Sequence, residues 1–276
     1  MQSLSEDNSY FLIWIKKNWS NFICSIAKNF NQRIKMKPYN KDESKRIQVR
    51  RMFNNIAPYY DKICHILSFN IDRLWRKRLV KLITEIKPTH IVDIATGTGD
   101  VAIGLAKNIP NTQIVGIDLS EEMLKAAQQK IECLGVKSNI KLLCEDAENL
   151  SLSSNSFDVV TISFGIRNFE NIDKGLSECC RILREGGNLF IMEFSTPKHK
   201  VFNTLYRFYS KYILPVIGKV ISKDNKAYTY LPESIVEFYQ EDEFTELLQN
   251  NGFNNCTAIS LTNGIAHIYI GVKPKL

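Results

Sequence analysis

Short apolar runs alternate along the chain with stretches in which apolar residues recur at helical spacing. Five of these runs read as strands, and they lie at residues 91–95, 112–118, 140–146, 157–164 and 188–194. Strands that alternate with helices form a parallel sheet. The runs are almost continuously apolar, which is typical of strands covered by helices on both faces.

Two further apolar runs, at residues 254–262 and 266–273, predict strands at the sheet margin. The pattern therefore predicts an α/β fold with a mostly parallel seven-stranded sheet and helices on both faces. The carboxyl ends of parallel strands meet at one edge, where ligands bind in such folds. Five polar residues follow or end the predicted strands and should line that crevice: Asp93, Asp118, Asp146, Ser163 and Glu193.

The run DIATGTGD, from Asp93 to Asp100, ends the first strand, turns on glycines and opens a helix. It fits the loose template G-x-G-x-x-A from Gly97 to Ala102, in which glycines let the backbone approach a ligand. Asp118 follows the next strand about 20 residues on, where a carboxylate accepts hydrogen bonds from a ribose. The site is therefore expected to bind an adenosine-type ligand. The alternative is a tight, capped turn without a ligand.

Charge separates the two candidate ligands of this turn. Asp93 and Asp100 place two carboxylates around the glycines. They would repel the pyrophosphate of NAD and attract the ammonium of S-adenosyl-L-methionine. The loop therefore favours S-adenosyl-L-methionine.

The chain has 276 residues, 44% of them hydrophobic, which is enough for one substantial core. The excess of basic residues behind its net charge of +7 is at the start of the chain, because residues 1–51 contain 11 Lys or Arg and 4 Asp or Glu. A basic arm at residues 1–45 and a single domain at residues 46–276 are therefore expected. The seven cysteines show no metal-ligand spacing, so we expect reduced thiols in a cytoplasmic protein and no metal site.

The arm contains an apolar run near its start that lysines interrupt, and that run is too short to span a bilayer. Three interpretations stay open. The arm forms an amphipathic helix on an anionic membrane surface, it binds nucleic acid, or translation starts at Met36 and the arm is missing from the mature protein.

Four blocks carry a family resemblance: residues 60–75, 163–168, 181–195 and 228–235, with SFGIRN and RILREGGNLFIMEFS the most distinctive. In these blocks the chain resembles the class I S-adenosylmethionine methyltransferases. It is especially similar to those that C-methylate polyprenyl quinols in ubiquinone and menaquinone biosynthesis. The resemblance covers residues 48–275 and implies a Rossmann-like core at 90–276 below a helical lid at 46–89.

The resemblance also implies the roles of individual residues at the cofactor. Thr98 would contact the cofactor, Asp118 would hold the ribose, and Ser163 would lie under the methionine portion. Asp146 and Ala147 would flank the adenine. The full set of expected cofactor-binding residues is Asp93, Gly97, Thr98, Gly99, Asp118, Asp146, Ala147 and Ser163.

For the reaction, Arg167 is expected to stabilise a developing phenolate, with Asn168 beside it. Tyr60 and its neighbour Asp61 would orient the quinol or relay its proton. A structural salt bridge is the alternative role for Arg167. No metal is needed.

The chain departs from many relatives at three positions, where it has Ile63, Cys64 and Asp72 in place of Met, Asn and His. A proton-transfer role of that histidine therefore cannot be carried over. Asp72 either replaces its polar contact or only packs. An aromatic stripe at residues 201–218 would line a tunnel for the prenyl tail or form ordinary core.

The activity implied by the resemblance is C-methylation of demethylmenaquinol, a polyprenyl naphthoquinol, with the methoxy-polyprenyl-benzoquinol of ubiquinone synthesis as the close alternative. An RNA methyltransferase and a non-catalytic scaffold are the alternatives from other classes. We expect no nucleic-acid partner, transient contact with the inner face of the cell membrane, and room for a homodimer.

Overall fold

The computed structural model describes residues 36–39, 42–136, 139–197 and 225–275, with backbone alone for residues 225–229. Residues 1–35 of the predicted arm and the aromatic stripe at 201–218 lie outside these ranges. Lys37 already belongs to the same compact unit as the sheet. The end of the predicted arm also packs, because Lys45 is buried and its ammonium donates to the carbonyl oxygens of Arg167 and Phe169.

From residue 42 onward, three α-helices precede the sheet: α1 (Lys45–Ile56), α2 (Tyr60–Leu67) and α3 (Ile71–Ile86). Helix α1 begins at Ser44, whose hydroxyl accepts a hydrogen bond from the Ile47 amide. A sharp corner joins α2 to α3, where Phe69 and Asn70 both have a positive φ. The segment expected to form a lid is thus fully helical apart from short turns.

The sheet and its helices follow in alternation. The first half of the alternation comprises β1 (His90–Ile94), α4 (Asp100–Asn108), β2 (Gln113–Asp118), α5 (Glu121–Cys133) and β3 (Ile140–Cys144). The second half comprises β4 (Phe157–Ser163), α6 (Ile172–Ile182), β5 (Leu183–Phe194), α7 (Asn225–Glu237), α8 (Glu241–Asn250), β6 (Asn254–Leu261) and β7 (Ala266–Val272).

The strand order is β3-β2-β1-β4-β5-β7-β6, and β7 is antiparallel to both of its neighbours. The predicted mostly parallel, seven-stranded sheet is confirmed. Strands β2 and β3 are added on one side of β1, and the chain then crosses over to β4, which pairs in parallel with the other side of β1. Such a switch point opens a crevice at the carboxyl ends of the two strands.

Both faces of the sheet are covered, as adjacent residues of β7 illustrate. Ile268 packs into a core cluster that includes Trp75 and Leu79 of α3. The next residue, Tyr269, points to the other face, and its ring centroid lies 4.6 Å from that of Phe244 in α8. Both side chains are fully buried. Because neighbouring side chains of the strand point to opposite faces of the sheet, a hydrophobic layer lies on each face.

Strand β5 is longer than its apolar run predicts. It begins at Leu183, directly after α6, where Leu183 pairs with Phe157 before the register shifts. Gly186 has a φ of 73° within this irregular stretch. Backbone pairing therefore extends the strand through polar and glycine residues that carry no hydrophobic signal.

Candidate active site

The glycine turn after β1 has the conformation that its sequence predicts. Gly97 and Gly99 have φ values of 57° and 81°, a region that glycine enters without steric cost. A Cβ atom at Gly99 would lie 3.3 Å from the Cβ of Ala127, so this position also brings α4 close to α5. The turn therefore leaves a backbone surface that a ligand can approach.

Asp118, at the end of β2, lies next to this turn. Its carboxylate accepts hydrogen bonds from the backbone amides of Gly97 (2.8 Å) and Ser120 (2.9 Å). Burial raises the pKa of Asp118 above its ordinary value. These bonds hold the carboxylate at the rim of a cleft that Gly97 and Asp118 line together.

Two buried polar atoms near the turn find no hydrogen-bond partner among the described residues: Oδ1 of Asp93 and the Ser163 hydroxyl. The other carboxylate oxygen of Asp93 accepts from the Thr96 hydroxyl at 2.6 Å. Burial raises the pKa of Asp93 to about 7. Ser163 lines the cleft beside the turn, whereas neither Asp93 nor Gly99 lines it. An ammonium placed next to the turn would compensate the negative charge of a buried carboxylate, so this region fits S-adenosyl-L-methionine.

Asp146 and Ala147 follow β3 and line the same cleft. Asp146 forms an ion pair at 2.8 Å with Arg46 of α1, whose side chain is half-exposed. The ends of four neighbouring strands, β3, β2, β1 and β4, thus form the cleft, and α1 covers it. We call it the polar cleft, lined among others by Gly97, Asp118, Asp146, Ala147, Ser163 and Asn168.

Thr98 and Asp100 are engaged elsewhere. The Thr98 hydroxyl donates to Asp61 at 2.5 Å, and Lys130 of α5 lies 2.5 Å from Asp100 and 2.8 Å from Asp61. The expectation that Asp100 offers free negative charge to a ligand ammonium is therefore wrong, because Lys130 neutralises it. Asp61 and the Thr98 side chain hold α2 against the turn and do not line the polar cleft.

A second cavity, of about 340 Å³, adjoins the polar cleft and has mainly apolar walls. We call it the apolar cavity. Its lining side chains come from α1, α2, α3, the segment after β4, the end of β5, α7 and the β6–β7 connection. They include Met52, Ile63, Ile71, Trp75, Phe194, Leu231 and Ile235. Four residues line both spaces and form the wall between them: Phe53, Tyr60, Phe164 and Asn168.

Arg167 and Asn168 lie in a short 3-10 turn after β4 and face the apolar cavity. A terminal guanidinium nitrogen of Arg167 donates to the buried Glu193 carboxylate and to the Phe164 carbonyl, each at 2.6 Å. The salt bridge considered as an alternative for Arg167 is therefore present. Its Nε atom nevertheless has no hydrogen-bond partner in the described part of the chain.

Asn168 has a free donor in a more central position. Its side-chain carbonyl accepts from the Tyr230 hydroxyl at 3.1 Å, while its buried Nδ2 has no partner among the residues described. Tyr230 lies in one of the four blocks of the family resemblance, but no local pattern marked it as a site residue. Arg76, which lines the apolar cavity from α3, was also missed by the sequence analysis, whereas Asp72 beside it was considered there as a polar contact.

A model of the ubiE/COQ5 methyltransferase family matches residues 40–273 of the chain. The chain belongs to this family. A relative from Bacteroides fragilis named demethylmenaquinone methyltransferase is 42% identical over 87% of this chain and 98% of its own length. Another, from Geotalea uraniireducens, is named ubiquinone/menaquinone biosynthesis C-methyltransferase; it is 43% identical over 82% of this chain and 96% of its own.

A solved structure from Aquifex aeolicus, titled as a SAM-dependent methyltransferase, superposes with a TM-score of 0.51 at 17% identity. It covers 70% of this chain and 88% of its own, and at that identity the likeness concerns the fold alone. The family assigns the activity: the protein is an S-adenosylmethionine-dependent C-methyltransferase. No helix in the described ranges is long and apolar enough to cross a membrane.

Proposed function

We propose that the protein transfers the methyl group of S-adenosyl-L-methionine to a ring carbon of demethylmenaquinol, forming menaquinol. The observation that carries this proposal is the wall shared by the polar cleft and the apolar cavity. A polar, charged methyl donor and an apolar, prenylated acceptor need different surroundings but must meet at contact distance. Two dissimilar spaces joined at Tyr60 and Asn168 meet both needs.

The names of the relatives support a quinol as the methyl acceptor. The name of the Bacteroides fragilis relative refers to demethylmenaquinone, and that of the Geotalea relative covers both quinone pathways. Methylation of 2-methoxy-6-polyprenyl-1,4-benzoquinol is therefore the second candidate. Both acceptors share a 1,4-quinol ring and an apolar tail, which the apolar cavity suits equally.

For the methyl donor, we assign the ribose hydroxyls to Asp118 and the adenine to Asp146 and Ala147. Asp93 and Ser163 would receive the methionine portion, because both present buried polar atoms without partners among the described residues. Gly97, Thr98 and Gly99 would contribute backbone atoms of the turn. The donor supplies an electrophilic methyl on a sulfonium, and the residues around it supply orientation.

For the quinol, Asn168 is the best-placed hydrogen-bond donor. Its Nδ2 is buried, without a partner in the described residues, and at the wall between the two spaces. Donors fixed in advance where negative charge develops stabilise a transition state strongly. Arg167 adds positive charge and its Nε donor, and Tyr60 orients the ring from α2. Glu193 and Phe164 keep the Arg167 guanidinium in place.

We also propose peripheral contact with the cytoplasmic face of the membrane, at the corner between α2 and α3. Ile66 and Leu74 are 40% and 62% exposed there, beside Phe69, which lines the apolar cavity. Residues 62–84 contain six Lys or Arg and a single carboxylate, the buried Asp72. Exposed apolar residues flanked by cations suit an anionic bilayer, the source of a prenylated substrate.

Co-sedimentation with vesicles tests this contact. The protein should bind phosphatidylglycerol vesicles more strongly than phosphatidylcholine vesicles. The double variant Arg73→Glu/Lys77→Glu should lose most of that binding, whereas Lys125→Glu on α5 should keep it. If both variants bound the phosphatidylglycerol vesicles equally well, the membrane contact would not be at the corner between α2 and α3. The domain boundary at residue 45 and the homodimer stay predictions, and light scattering would measure the latter.

Transfer of labelled methyl from S-adenosyl-L-methionine tests the activity itself. Purified protein should be assayed under reducing conditions with demethylmenaquinol and, in parallel, with the demethylated benzoquinol. We expect label in the naphthoquinol. Label in the benzoquinol alone would move the function to ubiquinone synthesis, and label in neither, with the donor bound, would contradict the proposal.

A further inference from the structure

The proposed reaction releases one proton inside the apolar cavity. A C–C bond forms between the ring carbon and the methyl group, and the S–C bond breaks with its electron pair staying on sulfur. A quinol hydroxyl loses its proton as the ring attacks. The ring hydrogen then leaves as the ring becomes aromatic again and restores that hydroxyl. The sulfonium charge is thus replaced by one net proton, which has to reach solvent.

Most titratable groups that line the apolar cavity cannot accept this proton. Burial raises the pKa of Tyr60 and of Tyr230, and it raises the pKa of Cys64 to about 11. These three groups are therefore already protonated at neutral pH. Arg76 and Arg167 are permanently protonated guanidinium groups. Asp72 is the only carboxylate among the described lining residues.

Asp72 is buried, and its contacts connect the apolar cavity to the outside. Oδ1 accepts from the Ser68 hydroxyl at 2.5 Å, and Ser68 also lines the apolar cavity. Oδ2 lies 2.9 Å from Nδ1 of His65 and contacts Arg76. His65 does not line the apolar cavity; it lines a separate, open groove between α3 and α4 together with Arg73 and Lys77.

We propose that Asp72 and His65 form a proton relay that carries the proton of the quinol hydroxyl from the apolar cavity to the outer groove. This inference rests on the proposed quinol methylation. Asp72 starts as a carboxylate and takes the proton of the quinol hydroxyl. It then passes that proton to Nδ1 of a neutral His65 that carries its own proton on Nε2, and His65 releases the Nε2 proton to solvent.

The surroundings of Asp72 favour passage of the proton over its retention. Burial acts to raise the pKa of Asp72, but the Ser68 hydrogen bond and the charge of Arg76 oppose it, and the pKa stays below its usual value. The other charged or titratable groups around the relay are Tyr60 and Cys64 on α2, Asp100 on α4 and, beyond Asp100, Lys130 on α5. The imidazole of His65 is a suitable second acceptor because it has one ring nitrogen at Asp72 and a second that can release a proton.

The test is the single-turnover rate of methyl transfer to demethylmenaquinol, measured against pH. For the unmodified enzyme, the rate should fall at acid pH, because an imidazolium ion cannot accept a proton from Asp72. Asp72→Asn should lower the rate roughly 100-fold and abolish the fall of the rate at acid pH, while the Kd for S-adenosyl-L-methionine stays unchanged. Asp72→Glu should restore part of both. His65→Ala should also lower the rate and abolish its fall at acid pH, and added imidazole should restore the rate.

Asp158→Asn is the matched control, because Asp158 also accepts several hydrogen bonds and pairs with Arg184, but it lies at the opposite end of β4. It should keep the rate and the pH profile. An Asp72→Asn enzyme with an unchanged pH profile would overturn the relay alone. Failure of imidazole to restore His65→Ala would also overturn it, even if Asp72→Asn does not fold. No transfer by the unmodified enzyme would overturn the relay together with the proposed function.

Discussion

The polar cleft and the apolar cavity lie side by side but are built in opposite ways. The polar cleft takes its key residues from the ends of successive parallel strands, so each follows an apolar run by a residue or two. The apolar cavity takes its lining from seven segments spread between Met52 and Ile265. The first arrangement is written locally in the sequence, whereas the second exists only after the helices pack.

The chemistry of the two spaces differs in the same sense. Burial raises the pKa of Asp118, which lines the polar cleft, and of Asp93, which is buried beside the glycine turn and does not line the cleft. The charges around the apolar cavity are instead largely compensated, as in the pairs Arg167–Glu193 and Arg76–Asp72. The cleft can therefore gain free energy by binding a cation, while the cavity can accept a neutral, apolar molecule without exposing an unpaired charge.

The largest expected effect concerns the buried pair that supports the wall. Arg167→Met leaves the Glu193 carboxylate buried and unpaired, so the free energy of unfolding should fall by about 3–5 kcal/mol in urea titrations. The double variant Arg167→Met/Glu193→Met should recover most of that stability. Its methyl transfer should stay low while it still binds S-adenosyl-L-methionine. A double variant with full transfer activity would exclude Arg167 from the reaction.

The second prediction acts on the polar cleft alone. Asp118→Ala should weaken the binding of S-adenosyl-L-methionine by about 1–3 kcal/mol, because it removes charge-assisted hydrogen bonds to the ribose. Calorimetry measures this, with Glu122→Ala on the exposed face of α5 as the control. The KM for the quinol should not change. Unchanged affinity for the donor would contradict the ribose role.

The third prediction is its counterpart in the apolar cavity. Leu231→Ala shortens a partly buried lining side chain of α7, so quinol binding should weaken by roughly 1–2 kcal/mol, seen as a higher KM. The Kd for S-adenosyl-L-methionine should stay the same. A variant that weakened donor and quinol equally would show that the two spaces do not act separately.

The fourth prediction uses the raised pKa of Asp93. A ligand ammonium favours the ionised carboxylate, so below pH 7 donor binding must first remove a proton from Asp93. The affinity for S-adenosyl-L-methionine should therefore rise with pH up to about 7, by at most ~10-fold per pH unit, and then level off.

Calorimetry between pH 5.5 and 8.5 on the unmodified protein and on Asp93→Asn separates this effect from that of Asp118. The variant should bind more weakly at pH 8 and show a flatter dependence. The same titration affects folding with the opposite sign. Because the folded-state pKa exceeds the ordinary value, the contribution of Asp93 to stability declines as the pH rises through 7. An equally steep affinity profile for the variant would assign the effect to another group.

The sequence by itself determined the seven-stranded α/β sheet, the glycine turn and the strand-end carboxylates. Hydrophobic periodicity and glycine conformation are local properties, and parallel strands necessarily bring their carboxyl ends to one edge. Only the tertiary structure decided that Lys130 neutralises Asp100, that Glu193 holds Arg167, and that Asp72 contacts both the apolar cavity and His65. These are contacts between side chains on packed helices and strands, some adjacent and others distant along the chain. No local pattern of hydrophobicity or spacing encodes which charged groups will meet when those elements pack.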